Sequence, residues 1–424
     1  MTKIYSEQYG CSSSLSDTQI MLGLLKKSGF EIVNDVKKSD LNLITTCSVK
    51  APTEQRMVHR IKELTKLNKP LIVAGCLPKV KKEIIEKINP KASLIGPDSV
   101  ERIVDVARDS LHGKKVIALE DLKKPKLGLS RCRGNSAIGI TQIGRGCISN
   151  CSFCGEPYRG KLFSYPPKAI VEDVKQNLKD GCKEIWITSL DNSCYGFDIN
   201  TNLAELLNEI CNIKGKFFIR VGMMNPLHLK KILDDLIEAY KNEKIFKFLH
   251  IPVQSFSDKI LKDMKRGYTV KDFISCVEKF RKEISDITIS TDIITGYPTE
   301  TEKDHELNIK FLEKLEFDVM NLSKFGVRPK TFAEKLRQLP NSITNKRSKE
   351  LSTVIRQVSN KRNEKWFGWK GEVIIDEINN GFVTGRNYAY KPVIIKEKLR
   401  LGNTVNVEII DTKSNFLIGK ISQQ

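Results

Sequence analysis

Over the first 113 residues, compact apolar runs alternate with stretches of helical periodicity. Lys3 to Tyr9 reads as a short strand. Ser16-x-x-Gln19 then has the form of a capping box, opening a helix with Ile20, Leu24 and Leu25 on one side and a stop at Gly29. Leu41 to Thr45 and Leu71 to Ala74 are further strands, each followed by helical patterning, and Ala92 to Ile95 precedes a helix from Val100 to Leu111. Such alternation predicts an α/β domain built on a doubly wound parallel sheet.

Residues 114–133 form a charged connector with seven basic and two acidic side chains, expected to be a solvated surface segment or, equally, a phosphate contact. Beyond it, from 133 to 363, six apolar runs alternate with helices: 138–143, 184–189, 216–221, 245–251, 286–294 and 317–323. Six strand-helix repeats make a partial (β/α)6 barrel, open on one side. Barrel chemistry sits at the carboxyl ends of the strands. Polar motifs follow the runs there: SLDNSCYG, GMMNP, PVQS and TGYPTE. Residues 364–424 change to short alternating strands with glycine and asparagine turns, which predicts a small five-stranded barrel of the oligonucleotide-binding type.

The chain has 424 residues, enough for two or three domains with real cores. A formal charge of +20 and a pI near 9.3 favour a polyanionic partner, with nucleic acid foremost. The last barrel contributes little to that charge, since residues 371–424 carry seven basic and six acidic side chains. The preceding helix, with Lys346, Arg347, Lys349, Arg356, Lys361 and Arg362, is the expected surface contact, while Trp366, Phe367 and Trp369 are expected in the core. The opening residues show no apolar signal run and no apolar stretch reaches membrane-spanning length. The expectation is a cytoplasmic chain with no membrane partner, whose eleven cysteines are reduced.

Two cysteine sets stand out. Cys147, Cys151 and Cys154 are spaced C-x3-C-x2-C directly after the 138–143 run. Three thiolates leave a tetrahedral structural zinc site unclosed but suit a 4Fe-4S cluster with one open iron. A zinc knuckle with a distant fourth ligand is the alternative. Cys11, Cys47 and Cys76 each follow a strand of the first domain, where neighbouring strand ends of a parallel sheet converge, and can share a second metal site. The alternative is three ordinary buried thiols. Cys132, Cys182, Cys194, Cys211 and Cys276 receive no role. His250 is expected to be a hydrogen-bonded structural histidine, and His59 and His305 to lie on exposed helices.

The cluster motif resembles that of the radical S-adenosylmethionine (SAM) superfamily. YGCSSSLSDTQ, ITTCSVKAPTEQR, VAGCLPKV, RVGMMNP, FLHIPVQSFSDKIL, MKRGYT and STDIITGYPTETEKD look like segments of its methylthiotransferases, and the final barrel resembles the TRAM domain. The resemblance implies a methylthiotransferase N-terminal domain (1–113), a radical SAM core (133–363) and an RNA-binding TRAM domain (364–424). It implies two 4Fe-4S clusters, an auxiliary one on Cys11, Cys47 and Cys76 and a catalytic one on Cys147, Cys151 and Cys154. It also implies SAM as cofactor, with Asp191, Asn225, Gln254, Asp292 and Glu300 as pocket residues; for Glu300 a helix-capping role weighs equally.

The RVGMMNP segment is most similar to the archaeal and eukaryotic branch, which methylthiolates C2 of N6-threonylcarbamoyladenosine beside the anticodon of tRNA. Siblings act on isopentenyladenosine in tRNA or on a ribosomal-protein aspartate. An RNA-binding iron-sulfur protein without enzymatic activity is the reading from another class. The implied partners are the tRNA anticodon loop, an electron-donor protein and a sulfur donor, with the chain acting as a monomer. Ser14 stands where the family commonly has asparagine, Phe256 where it often has glycine, and Gly155 and Glu156 where apolar residues are commoner.

Overall fold

The computed structural model describes residues 1–47, 51–156, 158 and 160–422. Ser48 to Lys50, within the ITTCSVKAPTEQR segment, and Pro157 and Arg159, beside the second cysteine motif, lie outside the described residues. The chain forms two compact units: Met1–Gly134 with Cys154–Phe163 and Arg328–Lys330, and Asn135–Phe153 with Ser164–Val327 and Thr331–Gln424.

The first unit is a six-stranded sheet of β1 (Lys3–Gln8), β2 (Glu31–Val33), β3 (Leu41–Thr46), β4 (Leu71–Gly75), β5 (Ser93–Ile95) and β6 (Ile117–Ala118). Their order is β2-β1-β3-β4-β5-β6, with every pairing parallel. Two cores flank it. Leu41, Leu43, Ile72 and Ala74 pack in one, and Ile44, Leu71, Val73 and Leu94 in the other. Burial on both faces is why these strands read as continuous apolar runs rather than alternating ones.

Two expectations are corrected here. The first helix is Ser12–Lys27 with Cys11 at its N-cap, so Ser16 and Gln19 are buried inside it and form no capping box. The turn at Gly10 (φ +128°) brings the chain from the strand end into the helix at once. The connector is also more than solvated surface. Ile117–Ala118 adds the edge strand β6, and Lys126 is buried with its ammonium 2.5 Å from Asp17 Oδ1.

The second unit holds β7 (Ile138–Gln142), β8 (Glu184–Thr188), β9 (Phe218–Val221), β10 (Phe248–His250), β11 (Thr288–Thr295) and β12 (Val319–Lys324). They form two three-stranded parallel sheets, β9-β8-β7 and β10-β11-β12, linked by a bridge between Ile219 and Ile245. This is the six-stranded open barrel read from the sequence. A closed barrel follows, of β13 (Lys370–Asn379), β14 (Phe382–Arg386), β15 (Pro392–Ile395), β16 (Thr404–Thr412) and β17 (Leu417–Ile421), in the order β13-β14-β15-β17-β16.

The small barrel packs on the residues that begin the core strands. Phe218, Phe246 and Phe248 pack with Ile374 and Tyr390, and Lys391 Nζ reaches Asp318 Oδ1 at 3.2 Å. Trp366 lies in the small barrel's core and Trp369 against it, as expected, but Phe367 is 68% exposed. Among the described residues no helix is long and apolar enough to cross a membrane.

Candidate functional site

In the first unit, Gln8 pairs with Thr45 and Thr46 with Gly75, so β1, β3 and β4 end side by side. Cys11, Cys47 and Cys76 are carried by those ends. Two glycines make the approach feasible. A Cβ on Gly10 would lie 2.9 Å from that of Cys47, and one on Gly75 (φ +97°) only 2.2 Å from the Thr46 carbonyl oxygen, so both positions exclude a side chain. Cys47 donates its backbone N–H to Met57 Sδ at 3.2 Å, and Cys11 Sγ lies 3.8 Å from Ser14 Oγ. The serine standing where the family commonly has asparagine therefore touches the cysteine.

Burial pushes the Cys76 thiol up, and the Glu156 carboxylate, Cys47 and Cys11 push it further. A thiol that resists ionisation by itself, as Cys76 does, is suited to a metal centre, which supplies the compensating positive charge. Among the described residues no three His, Cys, Asp or Glu side chains converge closely enough to hold one single metal ion. Three soft sulfurs are a donor set that fits an iron-sulfur cluster.

In the second unit, Cys147 and Cys151 are both 6% exposed in the loop after β7; Cys154 groups with the first unit. The loop is fastened by polar contacts. Ser149 Oγ accepts from Asn225 Nδ2 at 2.9 Å and lies 2.8 Å from His228 Nε2. Ser152 donates its N–H to the Met264 carbonyl and its hydroxyl to that of Asp263. Arg266 donates from Nη1 to Cys151 Sγ at 3.2 Å. Sequence reasoning missed Ser149, His228 and Arg266. The MKRGYT motif was the signal for Arg266, but its target lies 115 residues away.

The five expected pocket residues divide. Asp191 and Asn225 form one network: Asp191 Oδ1 accepts from the N–H and hydroxyl of Ser193 and the N–H of Asn225. Asn225 in turn caps the helix Pro226–Leu229 and holds Ser149. Burial lowers His228 below the usual imidazole value against the pull of Asp191, so its ring is neutral at Ser149.

Gln254 sits at φ +74°, a left-handed backbone unusual for a side-chain-bearing residue, bridging to Ile293. Asp292 Oδ1 receives His250 Nε2 at 3.1 Å and Asn321 Nδ2 at 2.8 Å, so His250 is hydrogen-bonded as expected. Glu300 is drawn elsewhere. Its Oε1 accepts from the Gly296 N–H and from Arg347 Nη1 at 2.8 Å, and burial raises its carboxyl above the usual range.

That pair corrects the reading of the basic helix Asn341–Glu364. Arg347 is buried between Glu300 and Glu302, and Arg362 bonds Asp318, because each carboxylate fixed in the core draws in a partner. Lys346, Lys349, Arg356 and Lys361 are the exposed cations left on it. His305 is likewise buried, bonded to Glu350 at 2.8 Å, whereas His59 is exposed. Phe256, in a glycine position of the family, is buried among Phe273, Phe311 and Phe317.

Family models match three segments of the chain: an uncharacterized protein family (UPF0004) at residues 3–96, the radical SAM superfamily at 141–312 and the TRAM domain at 370–422. The fold is shared with the radical S-adenosylmethionine methyltransferase TsrM of Kitasatospora setae (TM-score 0.56, 14% identity, 79% of this chain and 75% of that one). It is shared also with the cobalamin-dependent SAM radical enzyme OxsB (TM-score 0.54, 13% identity, 84% and 56%). A parallel partial barrel with this cysteine loop after its first strand defines a radical SAM enzyme.

Relatives narrow the class. The chain is 41% identical to a probable threonylcarbamoyladenosine tRNA methylthiotransferase of Pyrococcus abyssi, over 99% of this chain and 100% of that protein. It is 33% identical to the human threonylcarbamoyladenosine tRNA methylthiotransferase, over 99% of this chain and 74% of that one. The chain belongs to the threonylcarbamoyladenosine tRNA methylthiotransferase family.

Proposed function

We propose that this enzyme adds a methylthio group to C2 of N6-threonylcarbamoyladenosine beside the anticodon of tRNA. Cys147, Cys151 and Cys154 would hold one 4Fe-4S cluster with an iron open to SAM, and Cys11, Cys47 and Cys76 an auxiliary one. Bound there, the clusters and SAM supply radical hydrogen abstraction and the methylated sulfur.

The protein's own residues position and shield. Asp191 orients Asn225, and Asn225 with neutral His228 holds Ser149 in the cysteine loop. Gln254 and Asp292, at the barrel strands, are assigned to SAM. Glu300 contributes by fixing Arg347 at the end of β11. The domains are taken as 1–113, 133–363 and 364–424. Lys349 and Arg356, exposed on the helix before the small barrel, supply phosphate contacts that its near-neutral composition lacks. The wider scheme is a cytoplasmic monomer served by an electron-donor protein and a sulfur donor.

The observation that carries this reading is the placement of Cys11, Cys47 and Cys76 just beyond the ends of three adjacent strands of one parallel sheet. The test is mass spectrometry of tRNA nucleosides from a strain lacking the gene. The methylthio-threonylcarbamoyl nucleoside should vanish and return on complementation. Its persistence in the deletion strain overturns the assignment.

A further inference from the structure

The inner surface of the partial barrel contains a guanidinium that forms no salt bridge among the described residues. Gly139 and Thr141 of β7 lie against the helix Pro167–Lys179, Thr141 bonding Asp173 at 2.9 Å and a Cβ on Gly139 falling 2.7 Å from that of Asn177. Register carries that helix-facing side through Ile185 and Ile187 to Ile219 and Val221. Trp186 and Arg220, paired in register one residue out of phase, therefore face the interior.

Arg220 Cζ lies 5.2 Å from the Trp186 ring, 5.4 Å from that of Phe248 on the opposite sheet and 5.5 Å from that of Tyr390, which rises from the small barrel. The side chain is half-buried. Among the described residues, nothing forms a salt bridge or hydrogen bond with its guanidinium. Three rings hold the planar group in place and cover part of it, leaving its N–H donors available to a ligand. A fork of this kind suits a carboxylate, which it binds through two parallel hydrogen bonds.

Two carboxylates could reach the interior under the proposed function, that of SAM and that of the threonyl group on the modified adenosine. The isopentenyl group of the sibling substrate has none. We propose that Arg220, walled by Trp186, Phe248 and Tyr390, is the specificity-determining seat for the threonyl carboxylate. The inference rests on the proposed substrate.

The test uses the full-length, cluster-reconstituted protein and three anticodon stem-loop RNAs. One carries N6-threonylcarbamoyladenosine, one the same nucleoside with its carboxylate converted to an amide, and one unmodified adenosine. Wild type should bind the first roughly tenfold or more tighter than the other two. Arg220→Gln should erase that preference while leaving affinity for the unmodified RNA, and SAM binding by equilibrium dialysis, unchanged. Arg220→Lys, which keeps a cation among the rings, should retain part of the preference and serves if the glutamine variant does not fold. A glutamine variant that keeps the preference overturns the seat, and so does one that loses SAM binding instead, since the guanidinium then belongs to the SAM carboxylate. A wild type indifferent to the threonylcarbamoyl group overturns the substrate assignment, and the seat with it.

Discussion

Arg266 points its Nη1 donor at the sulfur of Cys151 across 3.2 Å, with Nη2 on the Pro252 carbonyl and Nε on the Tyr268 hydroxyl. At 4% exposure it is a buried cation held by three contacts, one of them to a thiol of the proposed cluster site. Hydrogen bonds and positive charge at a cluster sulfur favour the reduced, more negative cluster. Arg266→Gln should therefore shift the midpoint potential of the Cys147, Cys151, Cys154 cluster to more negative values. The measurement is a redox titration followed by electron paramagnetic resonance, in a protein whose Cys11, Cys47 and Cys76 are alanine. An unchanged potential would mean that the arginine only packs.

Cysteine replacement should separate the two sites. Alanine at Cys11, Cys47 and Cys76 should leave about four irons per chain, one cubane's worth, and preserve 5′-deoxyadenosine formation from SAM under reducing conditions. Alanine at Cys147, Cys151 and Cys154 should leave a similar iron content and abolish 5′-deoxyadenosine. Anaerobic iron and sulfide analysis with product chromatography checks both.

Gly75 offers a backbone test of the first site. A methyl group there meets the Thr46 carbonyl oxygen at 2.2 Å in a left-handed conformation. Gly75→Ala should cost about 1–3 kcal/mol of stability and lower the iron bound through Cys76, read by thermal unfolding and iron content. Gly113→Ala, at a positive φ with nothing within 4 Å, is the control that separates conformational strain from the clash.

Between the core and the small barrel, Asp318 is 2% exposed and accepts from Lys391 and Arg362. Those two cations hold its carboxyl below the usual range against burial. Asp318→Ala leaves the charge of Lys391, itself 2% exposed, with only the neutral Asn363 Oδ1 as partner, and should cost about 3–5 kcal/mol. Adding Lys391→Met should recover much of that loss. Denaturant unfolding of both variants decides between a paired network and independent contacts.

Glu184, at the start of β8, is pushed up to about 7 by burial and by the Asp376 carboxylate facing it, against the pull of Arg386 and a hydrogen bond from Trp186. A carboxyl whose folded-state pKa is raised contributes stability that is complete below its unfolded value near 4.5 and is lost as pH rises through about 7. Melting temperature should therefore fall between pH 5 and pH 8. Glu184→Gln should flatten that part of the profile. An unaltered slope would place the titration elsewhere.

The strands were readable because a strand buried on both faces needs an unbroken apolar run, and the small barrel because its strands alternate. The cysteine motif was readable because three thiols within eight residues are local chemistry. Less local features were not. Ser16 and Gln19 have the spacing of a cap, yet the turn at Gly10 starts the helix earlier. Glu300 and Arg347 looked like a pocket acid and a surface base until the fold made them a buried pair 47 residues apart.

By itself, the sequence determined the order of elements, the six cysteines and the excess of positive charge, all of which follow from residue type and spacing. Only the tertiary structure decided which polar groups spend their hydrogen bonds on one another and which do not. Asp191 and Asn225 are taken up in fastening the cysteine loop, while Arg220 sits among three rings and bonds none of the described residues. A side chain's partners come from whichever elements the packing brings within 3 Å or so, and that distance has no counterpart along the chain.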